Sequence, residues 1–249
     1  MTRDIASYRA VLFDLDGVLT PTAEVHRLAW KRTFDRAIAQ HGGRAAEPFT
    51  IEDYLAYVDG KPRYDGVHSF LASRGIEVPA GSPSDAPSLE TEAAIGNMKN
   101  DEFTAVLESE GVEAFRGSIA LLDELKSASV AVAVVSSSAN ARAVLVASGL
   151  ADRFAVVVDG VVARELDLPG KPAPDTFLEA ARQLVAEPSE SVVIEDAISG
   201  IEAGVAGGFG LVVGVDRESQ REAMLAAGAH LVVRDLNELT HPGRTRQRT

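Results

Sequence analysis

Residues 10–20 read AVLFDLDGVLT. The apolar run from Ala10 to Phe13 has the length and composition of a short strand covered on both faces. It breaks into Asp14-Leu15-Asp16-Gly17. Side chains at i and i+2 of an extended chain lie on one side, so Asp14 and Asp16 can approach a single site. Gly17 lets the backbone turn away behind them. Open α/β sheets bind ligands beyond the carboxyl ends of their strands. Two acids at such an end suit a divalent cation, or a nucleophile beside a general acid/base. A polar strand end followed by a turn is the alternative reading, because Asp and Gly are common turn formers.

Outward from this stretch the chain shows two patterns. From about residue 22 to 108 the apolar spacing is helical, with no convincing strand. Val25, Leu28, Ala29, Phe34, Ala37 and Ile38 approximate one stripe that ends at Gly42-Gly43. Thr50 with Asp53 makes an N-terminal capping pattern, Asp59-Gly60-Lys61-Pro62 breaks the next helix, and Pro79 to Ser88 is a low-complexity surface loop. From Ala114 the pattern alternates. VAVAVVSSS, FAVVVDG, SVVIED, GLVVGVD and HLVVRD read as strands, and helical segments separate them. Such alternation implies right-handed crossovers and a parallel sheet.

The expected fold is therefore α/β. A Rossmann-like parallel-sheet core over residues 1–21 and 109–240 is interrupted after its first strand by a helical cap domain over 22–108. Residues 241–249 read as a frayed tail, part of an arginine-bearing end, THPGRTRQRT. Both junctions of the cap lie near the paired acids, where a hinged cap can exclude water.

Composition narrows the function. The chain has 249 residues, 46% of them hydrophobic, enough for two domains. It has no cysteine, which removes disulfides and thiolate sites. A net charge of −13 argues against non-specific nucleic-acid binding. No stretch approaches the roughly 20 apolar residues of a membrane span, and the N-terminus has no apolar signal region. A cytoplasmic, monomeric protein acting on a small molecule is expected, with no nucleic-acid or membrane partner.

Three further segments carry chemistry-bearing residues at strand ends. AVAVVSSSAN places Ser136, Ser137 and Ser138 after a strand, with Asn140 opening the next helix. Hydroxyls and N–H groups at a helix start favour an anion, although a serine cap alone has the same appearance. GKPAPD sets Lys171 between a glycine and two stiffening prolines; a solvated loop lysine is the alternative. VVIEDAISG ends a strand in Glu195 and Asp196. With Asp14 these supply hard oxygen ligands of the kind Mg²⁺ takes, or they simply start a helix.

Taken in order, DLDGVLT, Ser136, GKPAPDTF and VVIED resemble the four motifs of the haloacid dehalogenase-like hydrolases. The resemblance implies that Asp14 is phosphorylated, that Asp16 is the acid/base, and that Ser136 and Lys171 hold the transferring phosphoryl group. It also implies Mg²⁺ held by Asp14, the backbone carbonyl of Asp16, and Asp196, with Glu195 close by.

The segments PTAEVHRLAW, VDGKPRYD and NMKNDEF are similar to the β-phosphoglucomutase family within that group. This implies substrate-side roles for Thr22, His26, Trp30, Gly60, Arg63, Lys99, Asn100, Ser137, Ser138 and Asn140. His26 would contact Asp16, and Arg63 would grip a distal phosphate, which a guanidinium fork suits. Pro21, Asp59 and Ala139 depart from that family's Asp, Lys and Lys. The implied activity is a Mg²⁺-dependent phosphoglucomutase that interconverts β-glucose 1-phosphate and glucose 6-phosphate. Its intermediates would be an aspartyl phosphate and glucose 1,6-bisphosphate. A sugar-phosphate phosphatase and a catalytically inactive phosphate-binding module are the alternatives. The last of these would require damaged motifs, and Asp14, Asp16, Ser136, Lys171 and Asp196 are all intact.

Overall fold

The computed structural model describes residues 4–42 and 47–240. Gly43, expected to help end the first helix, and the arginine-bearing tail from 241 to 249 lie outside them.

Strand β1 (Ala10–Phe13) lies inside a six-stranded sheet with the order β3-β2-β1-β4-β5-β6. The other strands are β2 (Ala131–Val135), β3 (Val156–Val158), β4 (Ser191–Glu195), β5 (Leu211–Val215) and β6 (Leu231–Val233). Every pairing is parallel. Each strand is too short to be stable alone, so the sheet is held by burial on both faces. Alternation along the strands divides that burial. Val11, Phe13, Val134 and Ile194 pack on one face, and Ala10, Leu12, Ala133 and Val193 on the other. The strand order reverses direction between β1 and its two neighbours, where open α/β sheets hold ligands.

Helices α1 (Thr22–His41), α2 (Ile51–Tyr57), α3 (Arg63–Ser73) and α4 (Glu92–Glu110) follow β1. They share an aromatic centre of their own. Phe34 stacks on Trp30 with centroids 4.9 Å apart and lies 4.2 Å from Phe70, which meets Phe49 edge-on at 4.9 Å. The Thr50–Asp53 capping box forms at the start of α2. The 79–88 loop is tied to the first turn of α4, where Glu92 N donates to Pro79 O at 3.0 Å and Ala93 N to Ala80 O at 3.1 Å. The two chain crossings between these helices and the sheet are bonded to each other, with Phe115 N donating to Leu19 O at 2.9 Å. No helix among the described residues is long and apolar enough to cross a membrane.

Helices α5 (Arg116–Ser127), α6 (Ala141–Ala147), α7 (Gly160–Glu165), α8 (Asp175–Gln183), α9 (Ile198–Ala206) and α10 (Arg221–Ala226) complete the chain. Helix α7 has no counterpart in the sequence reading. Its opening Gly-Val-Val has poor helix propensity, but Asp159 caps it by accepting from both Val161 N and Val162 N.

Trp30 is the only tryptophan in the chain, so its fluorescence reports on the four-helix layer. Phe70→Ala, which leaves the Trp30–Phe34 stack in place, is expected to cost about 3–5 kcal/mol. Urea unfolding followed by tryptophan emission measures the loss.

Candidate active site

Parallel register sets the centre of the site. Phe13 pairs with Val134 on one side and with Ile194 on the other, so Asp14 emerges between the ends of β2 and β4. Asp14 N donates to Ile194 O at 2.9 Å. Lys171, from the loop before α8, reaches under this point. Its Nζ lies 2.5 Å from Asp14 Oδ1, 2.5 Å from Glu195 Oε1 and 3.1 Å from Val135 O. All three side chains are buried. Burial works against the charge on Lys171, but Asp14 and Glu195 outweigh it and hold the ammonium above its ordinary range. Burial pushes Asp14 well above the usual carboxylate range, with Lys171 opposing and Glu195 and Asp16 adding to the rise.

Asp196 completes the cluster. Oxygen atoms of Asp14, Glu195 and Asp196 all lie within 4.8 Å of one another. Gly17, at φ +81°, makes room for Asp196, because a Cβ there would stand 1.8 Å from Asp196 Oδ2. Burial, then Asp59, Glu195 and Asp14, raise Asp196 well above its ordinary value. Fully ionised, the three carboxylates would exceed the one ammonium by two negative charges. Hard oxygen donors with that charge fit a divalent cation such as Mg²⁺.

Asp16 turns the other way. Its Oδ1 accepts from the Thr22 hydroxyl and lies 3.3 Å from His26 Nε2, while Ser136 Oγ donates to Oδ2 at 3.3 Å. Burial would raise this carboxyl, but His26, Thr22 and Lys99 outweigh burial and bring it down to about 2. His26 stacks on Phe103 at 4.0 Å. Lys99 Nζ contacts His26 Nδ1, and His26 Nε2 faces Asp16. Burial and Lys99 together lower the pKa of His26, against the pull of Asp16. Lys99 itself sits over Trp30 and Phe103, 4.9 and 5.0 Å from their centroids. Burial and Arg63 push it down to about 7.

The helical layer faces these acids across a cavity that is partly open to solvent. Arg63 lines the far side, and its guanidinium donates to amide oxygens, to Asn97 at 3.2 Å and Asn100 at 2.5 Å. Neutral hydrogen bonds seat the layer on the sheet. Ser137 Oγ donates to Gly60 O at 2.7 Å, Ser199 Oγ to Asp59 O at 3.2 Å, and Asn140 Nδ2 to Asn100 Oδ1 at 2.8 Å.

Most residues expected at the site line this cavity, among them Trp30, Gly60, Ser138 and Asn140. Thr22, Asn100 and Lys171 sit behind it and hold Asp16, Arg63 and Asp14 respectively. Tyr54 and Lys61 line the cavity without having been anticipated; helical spacing alone makes Tyr54 a core residue. Asp59, expected at a helix break and as a departure from the family, faces the acids. Burial and Glu195 push its carboxyl up to about 7.

A family model described as haloacid dehalogenase-like hydrolase matches residues 8–208. The chain belongs to the haloacid dehalogenase-like hydrolases. It is an enzyme of phosphoryl transfer. Within this family, the β-phosphoglucomutase of Mycobacterium bovis is 50% identical over 239 residues, covering 93% of this chain and 91% of that one. Hexitol phosphatase A of Escherichia coli is 32% identical over 202 residues, covering 80% of each chain. The crystal structure of a β-phosphoglucomutase from Clostridium difficile superposes with a TM-score of 0.73 at 25% identity, over 94% of this chain and 93% of that one.

Removing one partner of a buried ion pair leaves an uncompensated charge. Lys171→Met is therefore expected to lower the unfolding free energy of metal-free protein by about 3–5 kcal/mol. Adding Glu195→Gln should recover part of the loss. Urea titrations in the presence of a chelator measure both; a loss under about 1 kcal/mol, the scale of a surface pair, would contradict the account.

Proposed function

We propose that the chain is a Mg²⁺-dependent β-phosphoglucomutase that interconverts β-glucose 1-phosphate and glucose 6-phosphate through glucose 1,6-bisphosphate. The observation that carries this reading is a second cationic pole in the same cavity as the acids. Arg63 is bonded there to the neutral oxygens of Asn97 and Asn100, so its charge remains available to an anion. A mutase needs such a pole, because its intermediate bears two phosphates; a phosphatase acting through water does not. The 50% identity to a β-phosphoglucomutase supports the same reading.

In this proposal Asp14 attacks phosphorus, the bond to the departing sugar oxygen breaks, and an aspartyl phosphate forms. Asp16, ionised at rest, first takes the proton of the sugar hydroxyl that attacks phosphorylated Asp14 and then returns it to the sugar oxygen that leaves when Asp14 is phosphorylated again. The contacts from His26, Thr22 and Ser136 hold its carboxylate in place for that exchange. Lys171 fixes Asp14 and offsets charge on the phosphoryl oxygens, and Ser136 borders the same pocket. Asp14, Glu195 and Asp196, with the Asp16 carbonyl, would hold Mg²⁺, which when bound neutralises negative charge on the transferring group. The helical layer over 22–108 acts as the cap. Binding of the remote phosphate to Arg63 stabilises its closed position and aligns the reacting oxygen.

A sugar-phosphate phosphatase is the second reading. Asp59 and Ala139 favour it, because both line the cavity at positions where the resemblance to the β-phosphoglucomutase family implies lysine. Product analysis separates the two. The wild type is expected to form glucose 6-phosphate much faster than inorganic phosphate, with a trace of glucose 1,6-bisphosphate shortening any initial lag. Arg63→Ala should depress isomerisation far more than hydrolysis of acetyl phosphate, which has no remote phosphate. Dominant phosphate release by the wild type, or equal loss of both activities in Arg63→Ala, would favour the phosphatase.

A further inference from the structure

Arg63 is held from behind by an asparagine that is itself held by a loop. Asn97 Oδ1 accepts from Arg63 Nη1 at 3.2 Å and from the Tyr64 hydroxyl at 3.0 Å. Its Nδ2 donates to the main-chain carbonyls of Pro83 at 3.1 Å and Asp85 at 3.0 Å. A carboxamide has one acceptor oxygen and two N–H donors, and all are engaged. The amide orientation is therefore fixed. Reversed, its NH₂ would meet the guanidinium and its oxygen would meet two carbonyls.

Both carbonyls belong to the Pro79–Ser88 loop, which composition alone makes a featureless surface segment. The loop takes its shape from Asp85, whose Oδ2 accepts from Thr91 Oγ1 at 2.7 Å and from Ser82 N at 3.1 Å. The neighbouring helix position is matched to the same task. A Cβ on Gly96 would stand 3.1 Å from Arg63 Cγ and Cδ and from Tyr64 Cδ1. A mid-helix glycine costs about 1 kcal/mol relative to alanine, and here it lets the Arg63 stem lie against α4.

We propose that Asn97 is a positioning residue for the substrate's remote phosphate, and that the 79–88 loop acts on substrate selection through it. This rests on the reading of Arg63 as the remote-phosphate grip. The physical reason lies in the side chain. An arginine fork gains a bidentate contact only if its plane is set beforehand; otherwise ordering a long, flexible chain offsets much of the gain. Asn97 sets the plane without neutralising the charge, which an aspartate at this position would do. Its effect belongs to the remote phosphate and not to the chemistry at Asp14.

The test compares wild type, Asn97→Ala, Asn97→Asp, Asp85→Ala, Arg63→Ala and the Arg63→Ala/Asn97→Ala double variant. Two reactions are followed: isomerisation of β-glucose 1-phosphate with glucose 1,6-bisphosphate varied, and hydrolysis of acetyl phosphate. Asn97→Ala is expected to reduce kcat/KM of isomerisation about tenfold, chiefly through a raised KM for the bisphosphate. Acetyl phosphate turnover should stay within about twofold. Asn97→Asp should lose more than Asn97→Ala. Asp85→Ala, outside the cavity, should shift isomerisation in the same direction, and it decides the matter if Asn97→Ala does not fold. The double variant should be no worse than Arg63→Ala, because Asn97 acts through Arg63. Unimpaired isomerisation by Asn97→Ala beside an impaired Arg63→Ala overturns the inference and leaves the mutase reading standing. Equal losses in both reactions, or losses that multiply in the double variant, also overturn it. An unimpaired Arg63→Ala overturns both the mutase reading and this inference.

Discussion

Lys171 donates to two buried carboxylates at the ends of adjacent strands, Asp14 on β1 and Glu195 on β4. Three ionisable side chains buried at the ends of the two central strands are costly to assemble. The desolvation of each is of the order of several kcal/mol and is offset only when geometry and charge balance are good. Here the parallel register brings the strand ends level, and the Val135 carbonyl takes a further proton of the ammonium. Asp196 adds a third carboxyl, and among the described residues no ion pair holds it. Ionised, this cluster offers the hard oxygen donors that a divalent cation fits.

The second acid of the DLDG stretch is governed by different neighbours. Asp16 answers to Thr22 and His26, the first residues of the helical layer. Its proton affinity is lowered chiefly by that layer, whereas that of Asp14 is raised by burial against the pull of Lys171. The two carboxyls, separated by one residue, are therefore pushed in opposite directions, Asp14 up and Asp16 down. The same helical layer carries Arg63 and Lys99. Arg63 and the partners of Asp16 therefore share one layer and face the acids from the same side.

Much of the fold was legible because its signals are local. The apolar runs before Asp14, Ser136 and Glu195 are strands, and Thr50 with Asp53 caps a helix as its spacing implies. The acids and Lys171 follow from motifs of a few residues each. What was not legible depends on segments distant in the chain. Nothing near Asp59 indicates that its carboxyl faces Glu195 and Asp196. Tyr54 reads as an ordinary helix-core residue yet borders the cavity. Asn97 stands two positions before a recognisable lysine, and only the folded loop reveals its four hydrogen bonds. Helix α7 was missed because a cap outweighed β-branched propensity.

The central claim is that Asp14, held by Lys171, takes the phosphoryl group. Wild-type enzyme mixed with Mg²⁺ and glucose 1,6-bisphosphate, quenched rapidly in acid and digested, tests it most directly by peptide mass spectrometry. The account predicts a gain of one phosphoryl group on the peptide that contains Asp14, removed by hydroxylamine and absent from Asp14→Asn. A phosphoryl group on any other peptide, or an unlabelled protein that still isomerises its substrate, would contradict it.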